Sequence, residues 1–149
     1  MLTYETLDSI ADAVNPTLLL ATLLLPVFPR PRVAVGGALR WYGCVAVVLA
    51  VVYGLMALDA QLGIWHAIGA DYSTHTAFAL GLALLWYAAG RMAFAAVCVV
   101  LIGYFGLMLY QRYHTPTDMV TTAVPVTAVV LALLWFTRRA GTKVTGDEI

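Results

Sequence analysis

Long apolar runs separated by short polar clusters dominate this chain. Four runs are predicted to cross a membrane as helices, and they cover residues 41–58, 76–90, 92–111 and 119–136. A membrane-crossing helix needs about 20 mainly apolar residues, and tilt or mismatch allows a few more or fewer. The third run fits this length best, whereas the second is short.

The N-terminal apolar segment, residues 17–28, has a weaker pattern. Its prolines are Pro16, Pro26, Pro29 and Pro31, and they bracket a segment little more than half the needed length. The pattern indicates either a short span or a re-entrant segment. Asn15 followed by Pro16 is typical of an N-cap and a first-turn proline, so a helix is predicted to start there.

Before this segment, apolar and acidic residues occupy opposite faces at helical spacing. The apolar positions are Leu7, Ile10 and Val14, and the acidic positions are Glu5, Asp8 and Asp12. This spacing predicts a short amphipathic helix that lies on the membrane surface.

The composition agrees with a chain that is mostly surrounded by lipid. Hydrophobic residues make up 62% of the sequence and charged residues 11%, a balance too apolar for a water-soluble domain. The net charge of zero provides no basic surface for nucleic acid, so no nucleic-acid partner is expected. The predicted fold class is all-α, a single membrane-embedded bundle of about five spans over residues 1–149.

The basic residues predict the orientation of this bundle. They lie in the segment 30–40, at Arg91 in a tight hairpin, and in the tail at Arg138, Arg139 and Lys143. With about five spans, all three groups fall on one face, which the positive-inside rule assigns to the cytoplasm. The loops 59–74 and 112–118 then face outward, and we expect a multi-pass protein of a bacterial cytoplasmic membrane.

The two outward loops concentrate titratable and hydroxyl groups near the membrane. The first contains Asp71, Tyr72, Ser73, Thr74, His75 and Thr76, and the second contains Arg112, Tyr113, His114, Thr115, Pro116, Thr117 and Asp118. Ionisable groups at this depth are costly, so a functional role is the default hypothesis. Helix capping by Ser73 or Thr74, and by the Thr115 segment, is the structural alternative, but it explains neither histidine.

The histidines have partners at informative spacing. Asp118 lies one helical turn after His114, so its carboxylate can orient the imidazole and leave the other nitrogen as a nucleophile. His75 lies at the start of a helix, where unpaired N–H groups favour an anion such as phosphate. The hairpin at residues 90–91 brings both histidines to one face. His114 overshoots His75 by about eight residues, or roughly 12 Å, so the chain after Gln111 must fold back or its helix must tilt.

These motifs resemble those of the membrane-embedded type-2 phosphatidic acid phosphatases and the related sphingomyelin and inositol-phosphoceramide synthases. Ser73-Thr74-His75-Thr76 is similar to the Ser-Gly-His-Thr or Ser-Leu-His segment of that family, and Tyr113-His114 with Asp118 is similar to its His-x-x-x-Asp segment. The resemblance implies that His114, paired with Asp118, attacks phosphorus and that His75 protonates the departing oxygen. It implies no metal or cofactor. The substrate contacts expected beside them come from Asp71, Tyr72, Ser73, Thr74, Thr76, Arg112 and Tyr113.

The chain also departs from the phosphatase pattern. Arg30-Pro31 falls on the opposite face, and Leu23 stands where the family's upstream lysine would be. Met108 stands where the phosphatases carry an arginine before the second histidine. These missing cations favour the synthase-like branch, or else Arg112 acts as a substitute.

The sequence therefore predicts a lipid phosphatase or phosphotransferase that acts on a lipid phosphate ester at the outer surface of the bilayer. One alternative is a metal-dependent membrane hydrolase that uses Asp71, His75, His114 and Asp118 as ligands. Another is a scaffold or small transporter without catalysis. A stripe on the fourth predicted helix consists of Tyr104, Met108 and Gln111; it could face the site, but packing is the preferred interpretation.

Overall fold

The chain folds into five α-helices with short connections. The computed structural model describes residues 3–27 and 35–143, so Pro29, Arg30, Pro31 and Arg32 lie outside the described residues. The helices are α1 (Tyr4–Leu24), α2 (Val35–Leu62), α3 (Thr74–Ala89), α4 (Arg91–Tyr110) and α5 (Pro116–Lys143). Two 3₁₀ turns, Leu25–Val27 and His66–Ile68, follow α1 and α2. The all-α prediction is confirmed.

Four of these helices are long and apolar enough to cross a membrane. They cover Tyr4–Val27, Gly37–Leu62, Arg91–Tyr110 and Pro116–Phe136, and they make this chain a membrane protein. Helix α3 has 16 residues and is shorter, as expected for the second apolar run. It packs against each of the other four helices and is therefore the centre of the bundle.

The predicted helix start at Asn15 and Pro16 is wrong. Helix α1 runs without interruption from Tyr4 to Leu24, with Pro16 in its interior. The predicted surface helix and the first apolar segment are thus one element of spanning length. Proline removes one backbone donor, but membrane helices tolerate this loss where neighbouring groups compensate for it.

Small side chains allow the other helices to approach α3 closely. Ala77, Ala79, Gly81 and Ala83 of α3 are all buried, and small residues at helix interfaces permit tight packing in membranes. On one side, an apolar cluster joins α3 to α2 and α5; its fully buried members include Val48, Val52, Leu82, Leu85, Val126 and Val130. On the other side, a cluster that includes Tyr104 joins α3 to α1 and α4.

Gly81 is where this close approach is tightest. A Cβ atom at Gly81 would lie 2.8 Å from Cγ1 of Val48 and 3.6 Å from Cγ1 of Val126. Valine has one strongly preferred rotamer in a helix, so Val48 cannot turn away cheaply. We expect Gly81→Ala to lower the free energy of unfolding by about 1–3 kcal/mol, measured by reversible denaturation in detergent micelles.

Gly103→Ala on α4 is the matched control, because no heavy atom lies within 4 Å of a Cβ built there. This variant should be as stable as the wild type or slightly more stable, since alanine favours the helix. Equal stability of the two variants would contradict the packing described here.

The alternating directions of the helices place both polar loops at one end of the bundle. The loop from residue 63 to residue 73 leads into α3, and residues 111–115 connect α4 to α5. Gly90, with φ 134°, makes the tight turn between α3 and α4 at the opposite end. A left-handed φ of this kind favours glycine.

Candidate active site

The first half of the site is built by the N-terminus of α3. Ser73 is the N-cap: its Oγ accepts a hydrogen bond from the Thr76 N–H at 3.2 Å, and its hydroxyl donates to Thr76 Oγ1 at 2.8 Å. The Ser73 N–H donates to Thr122 Oγ1 of α5 at 3.0 Å. These bonds fix the first turn of α3 against α5 and so position His75, which is exposed. The capping prediction is confirmed for Ser73.

The second half of the site depends on a chain reversal after α4. The Tyr113 N–H donates to the Met108 carbonyl at 3.1 Å, and the Arg112 N–H donates to the Leu109 carbonyl at 3.2 Å. This is the Schellman pattern of helix termination. Arg112 occupies its left-handed position with φ 59°, which is uncommon for a residue other than glycine. The expectation that the chain folds back after Gln111 is confirmed.

A capping box then starts α5. The Asp118 N–H donates to Thr115 Oγ1 at 3.2 Å, and the Thr115 N–H donates to Asp118 Oδ2 at 2.7 Å. The other carboxylate oxygen of Asp118 accepts the backbone N–H of Asp71 at 2.8 Å. Asp118, which is buried, therefore joins the two polar loops.

The predicted hydrogen bond between His114 and Asp118 is not formed. Nδ1 of His114 lies 4.0 Å from Oδ2 of Asp118, which is beyond hydrogen-bond distance. The two carboxylate oxygens instead accept the backbone N–H groups of Thr115 and Asp71. Asp118 is close enough to influence His114 electrostatically, but its direct bonds organise the loops.

This arrangement predicts that Asp118→Asn is destabilising. A carboxamide has one acceptor oxygen, and its NH₂ group would face a second backbone N–H, of either Thr115 or Asp71. We expect a loss of about 1–3 kcal/mol in the free energy of unfolding, the cost of an unsatisfied buried donor. Asp71→Asn is the control, because it leaves the Asp71 backbone N–H and its bond intact. Equal thermal stability of the two variants in detergent would show that the Asp118 carboxylate does not stabilise the junction of the two polar loops.

The two histidines lie together at this end of the bundle. Their ring centroids are 6.3 Å apart, with an angle of 52° between the planes. Tyr113 stacks on His75 at 6.3 Å, and the two rings are parallel within 5°. An attacking atom stands about 3–3.5 Å from the atom it attacks. Rings at this spacing can therefore both contact one phosphoryl group.

Three of the predicted substrate-binding side chains point into the protein instead. Ser73 and Thr76 are 0% and 1% exposed, and their hydroxyls bond to each other. The Tyr72 hydroxyl donates to the Val52 carbonyl at 2.8 Å. Burial and the Asp59 carboxylate raise the pKa of Tyr72 to about 12, so this donor stays protonated. Direct substrate contact by these three groups does not fit their burial and bonding.

The other predicted residues are placed at the site or its edge. Asp71, Arg112 and Tyr113 are exposed, and Thr74 is half-buried in the first turn of α3. Asp71 is near enough to act electrostatically on His114.

Tyr104 belongs to the stripe for which packing is the preferred interpretation, and the structure places it at the site. Its hydroxyl lies 3.0 Å from Nδ1 of His75, and the residue is 3% exposed. The signal was present in the hairpin: His75 precedes Gly90 by nearly the number of residues by which Tyr104 follows it. In an antiparallel helix pair, residues at equal distances from the turn lie side by side. This count therefore identifies Tyr104 as the partner of His75 on α4.

The environment of His114 favours the neutral imidazole. Burial is the largest cause and lowers the pKa of His114 below its ordinary value of 6.5. The carboxylates of Asp118 and Asp71 act in the opposite direction, whereas His75 lowers the pKa further. A neutral imidazole has the lone pair that a nucleophile needs.

No three histidine, cysteine, aspartate or glutamate side chains within residues 3–27 and 35–143 are arranged to hold a metal ion. The predicted alternative with four metal ligands is therefore not assembled here. Asp118, one of the four, is committed to backbone donors.

A cavity of about 380 Å³ adjoins His75 on the side of α1 and α2. Thr74 and His75 contribute polar groups, and the apolar lining includes Leu19, Leu49 and Phe78. Pro16 and Tyr53, also in the lining, are exposed on the bundle surface. The cavity therefore reaches the surface that faces lipid, and His75 borders both this cavity and His114.

No family model matches the chain, and no match to it is found among curated proteins or solved structures. The resemblance to the type-2 phosphatidic acid phosphatases consequently rests on the motifs around His75 and His114.

Proposed function

We propose that this protein is a lipid phosphatase or lipid phosphotransferase that forms a phosphohistidine on His114. The observation that carries the proposal is the pairing of His75 and His114, whose rings lie 6.3 Å apart at one end of a membrane bundle. Two histidines, one in the first turn of α3 and one in the connection before α5 with a lowered pKa, supply a proton donor and a nucleophile for phosphoryl transfer.

In the proposed reaction, a ring nitrogen of neutral His114 attacks phosphorus as the bond from phosphorus to the ester oxygen breaks. His75 gives its proton to that departing oxygen, which leaves as an alcohol. Water or a second alcohol then attacks the phosphohistidine as the bond from phosphorus to His114 breaks, and the proton of the attacking hydroxyl passes to neutral His75. Asp118 holds the two loops in register and contributes negative charge near the imidazole.

The cavity beside His75 supports a lipid substrate. In-line displacement places the leaving group opposite the nucleophile. Because His75 borders both His114 and the cavity, the alcohol part of the ester would extend into the cavity among Leu19, Leu49 and Phe78. An apolar lining that reaches the lipid-facing surface suits an alcohol that carries a hydrocarbon chain.

The phosphoryl oxygens have candidate donors in the same place. The first N–H groups of a helix have no partner inside the helix, and at α3 these belong to Thr74 and His75. Arg112, which is exposed, lies just after α4. Its guanidinium would supply the positive charge that the phosphatases place on a lysine and arginines at other positions. The proposed orientation, with this end at the outer surface, rests on the positive-inside rule, and the proposed location is a bacterial cytoplasmic membrane.

The lowered pKa of His114 predicts the acid side of the pH profile. The nucleophile must be neutral, so the acid limb of kcat/KM should have its midpoint below pH 6.5. An acid limb centred above pH 6.5 would show that His114 is not the group being protonated. The measurement is kcat/KM against pH with a soluble phosphate ester and purified protein.

The activity itself can be tested in lipid nanodiscs with a labelled phosphatidic acid. Free phosphate and new phospholipid headgroups are followed together, with and without a chelator. We expect turnover that the chelator does not change, since the proposed nucleophile is a histidine. Activity that the chelator abolishes would favour the metal-dependent hydrolase, and no release or transfer of phosphate would reject the proposal.

A lipid-binding scaffold without catalysis is the second candidate. The distance of 4.0 Å between His114 and Asp118 favours it, because the carboxylate does not hold the imidazole directly. Saturable binding of phosphatidic acid with neither phosphate release nor phosphate transfer would support this reading.

A further inference from the structure

Tyr104 and Tyr113 hold the His75 ring from two directions. The Tyr104 hydroxyl lies 3.0 Å from Nδ1 at the edge of the ring, while Tyr113 stacks on its face at 6.3 Å. Tyr104 belongs to the buried cluster between α3, α1 and α4, so its side chain is fixed by packing. His75 is exposed, and Tyr104 therefore connects it to the rigid part of the bundle.

We propose that Tyr104 is a positioning residue that accepts a hydrogen bond from Nδ1–H of His75 and makes Nε2 the nitrogen that delivers the proton. This inference rests on the proposed function. An imidazolium carries hydrogen on both nitrogens, and the hydroxyl oxygen binds the one on Nδ1. When Nε2–H passes to the departing oxygen, the neutral ring that remains is the Nδ1–H tautomer, and its bond to Tyr104 is unchanged.

A neutral hydroxyl suits this task better than a carboxylate would. A carboxylate at the same distance would stabilise the imidazolium strongly and make it a weaker acid. The hydroxyl fixes the ring and selects the nitrogen without that effect. Tyrosine at position 104 thus orients His75 and keeps its proton transferable.

The test compares Tyr104→Phe with Tyr110→Phe on the same helix. Tyr110 is 75% exposed and lies outside the site, so its variant should behave as the wild type. Both changes keep the aromatic ring. Tyr104→Phe should lower turnover of phosphatidic acid by about tenfold to a hundredfold, the value of a hydrogen bond to a charged group. It should leave kcat/KM for p-nitrophenyl phosphate within about threefold of wild type, because that leaving group needs no proton.

Equal losses on both substrates would overturn the proposal, as would no loss on either. If the wild type turns over neither substrate, the proposed function is wrong, but the inference about Tyr104 can still be tested. In that event, ¹⁵N spectra of histidine-labelled protein test the inference, because they show which ring nitrogen of His75 carries hydrogen. The His75 signals are assigned by comparison with His75→Ala. The neutral ring of His75 should be the Nδ1–H tautomer in wild type and the Nε2–H tautomer in Tyr104→Phe. The Nε2–H tautomer in both proteins would show that Tyr104 donates instead, and the inference would be wrong.

Discussion

His114→Ala should abolish turnover of both phosphatidic acid and p-nitrophenyl phosphate, to the level of the uncatalysed background. The variant removes the proposed nucleophile, so no phosphohistidine can form with any leaving group. The bundle should stay intact, because the hydrogen bonds of its loops run through Asp118 and Thr115 and not through the His114 side chain. Activity on both esters and thermal stability in detergent are the measurements.

His66→Ala is the matched control for this variant. His66 lies in the 3₁₀ turn after α2, is exposed, and has no role in the proposed reaction. We expect this protein to keep wild-type turnover of both esters. Wild-type turnover by His114→Ala would end the proposed mechanism, whereas loss of activity in both variants would trace the effect to general disturbance of the outer loops.

His75→Ala should separate the two substrates. Loss of a general acid typically costs 10² to 10⁴-fold, and this loss should appear with phosphatidic acid, whose departing oxygen needs a proton. The activated p-nitrophenyl ester should keep much of its kcat/KM, which reports formation of the phosphohistidine, while the later hydrolysis of that intermediate should slow. The comparison is sharper than a single assay because both reactions use the same nucleophile, His114.

The result that would contradict these roles is an equal loss on both substrates without phosphate trapped on the protein. His75 would then bind the phosphoryl oxygens or a metal ion. A chelator added to the wild type would distinguish these two explanations, since only the metal-bound form depends on a divalent cation.

The sequence predicts the bundle well because lipid imposes a simple requirement. Apolar runs near spanning length form helices whatever their detailed packing, so α2, α4 and α5 could be located from the pattern alone. The error at Pro16 has the same origin. Proline was weighted as in water, where it starts or ends a helix, whereas α1 continues through it.

The site was predictable where it depends on local chain geometry. The Thr115 and Asp118 capping pattern is readable from residue types at fixed spacing, and the structure forms it. The pairing of His75 with His114 follows from the hairpin and from the chain reversal after Gln111. The count of residues after the hairpin indicates the reversal, but its turn residue does not, since Arg112 stands in the left-handed position where glycine is usual.

Contacts between distant segments could not be predicted in the same way. The spacing alone pairs Asp118 with His114, whereas in the structure its carboxylate accepts the Asp71 backbone N–H from a distant loop. The inward direction of Tyr72 depends on where α2 passes, because its partner is the carbonyl of Val52. A helical repeat identifies residues that share a face, but it does not show with which group each of them forms a hydrogen bond.

The most direct test of the central claim is to look for phosphate on His114. Purified protein in nanodiscs is mixed with ³²P-labelled phosphatidic acid, quenched in alkali and digested, and the labelled peptide is sequenced by mass spectrometry. We predict acid-labile, alkali-stable label on His114 and none in His114→Ala. In His75→Ala, an activated ester that carries the same label should leave more label on His114 than it does in the wild type. Turnover of the lipid with no label on His114 under these conditions would contradict the account.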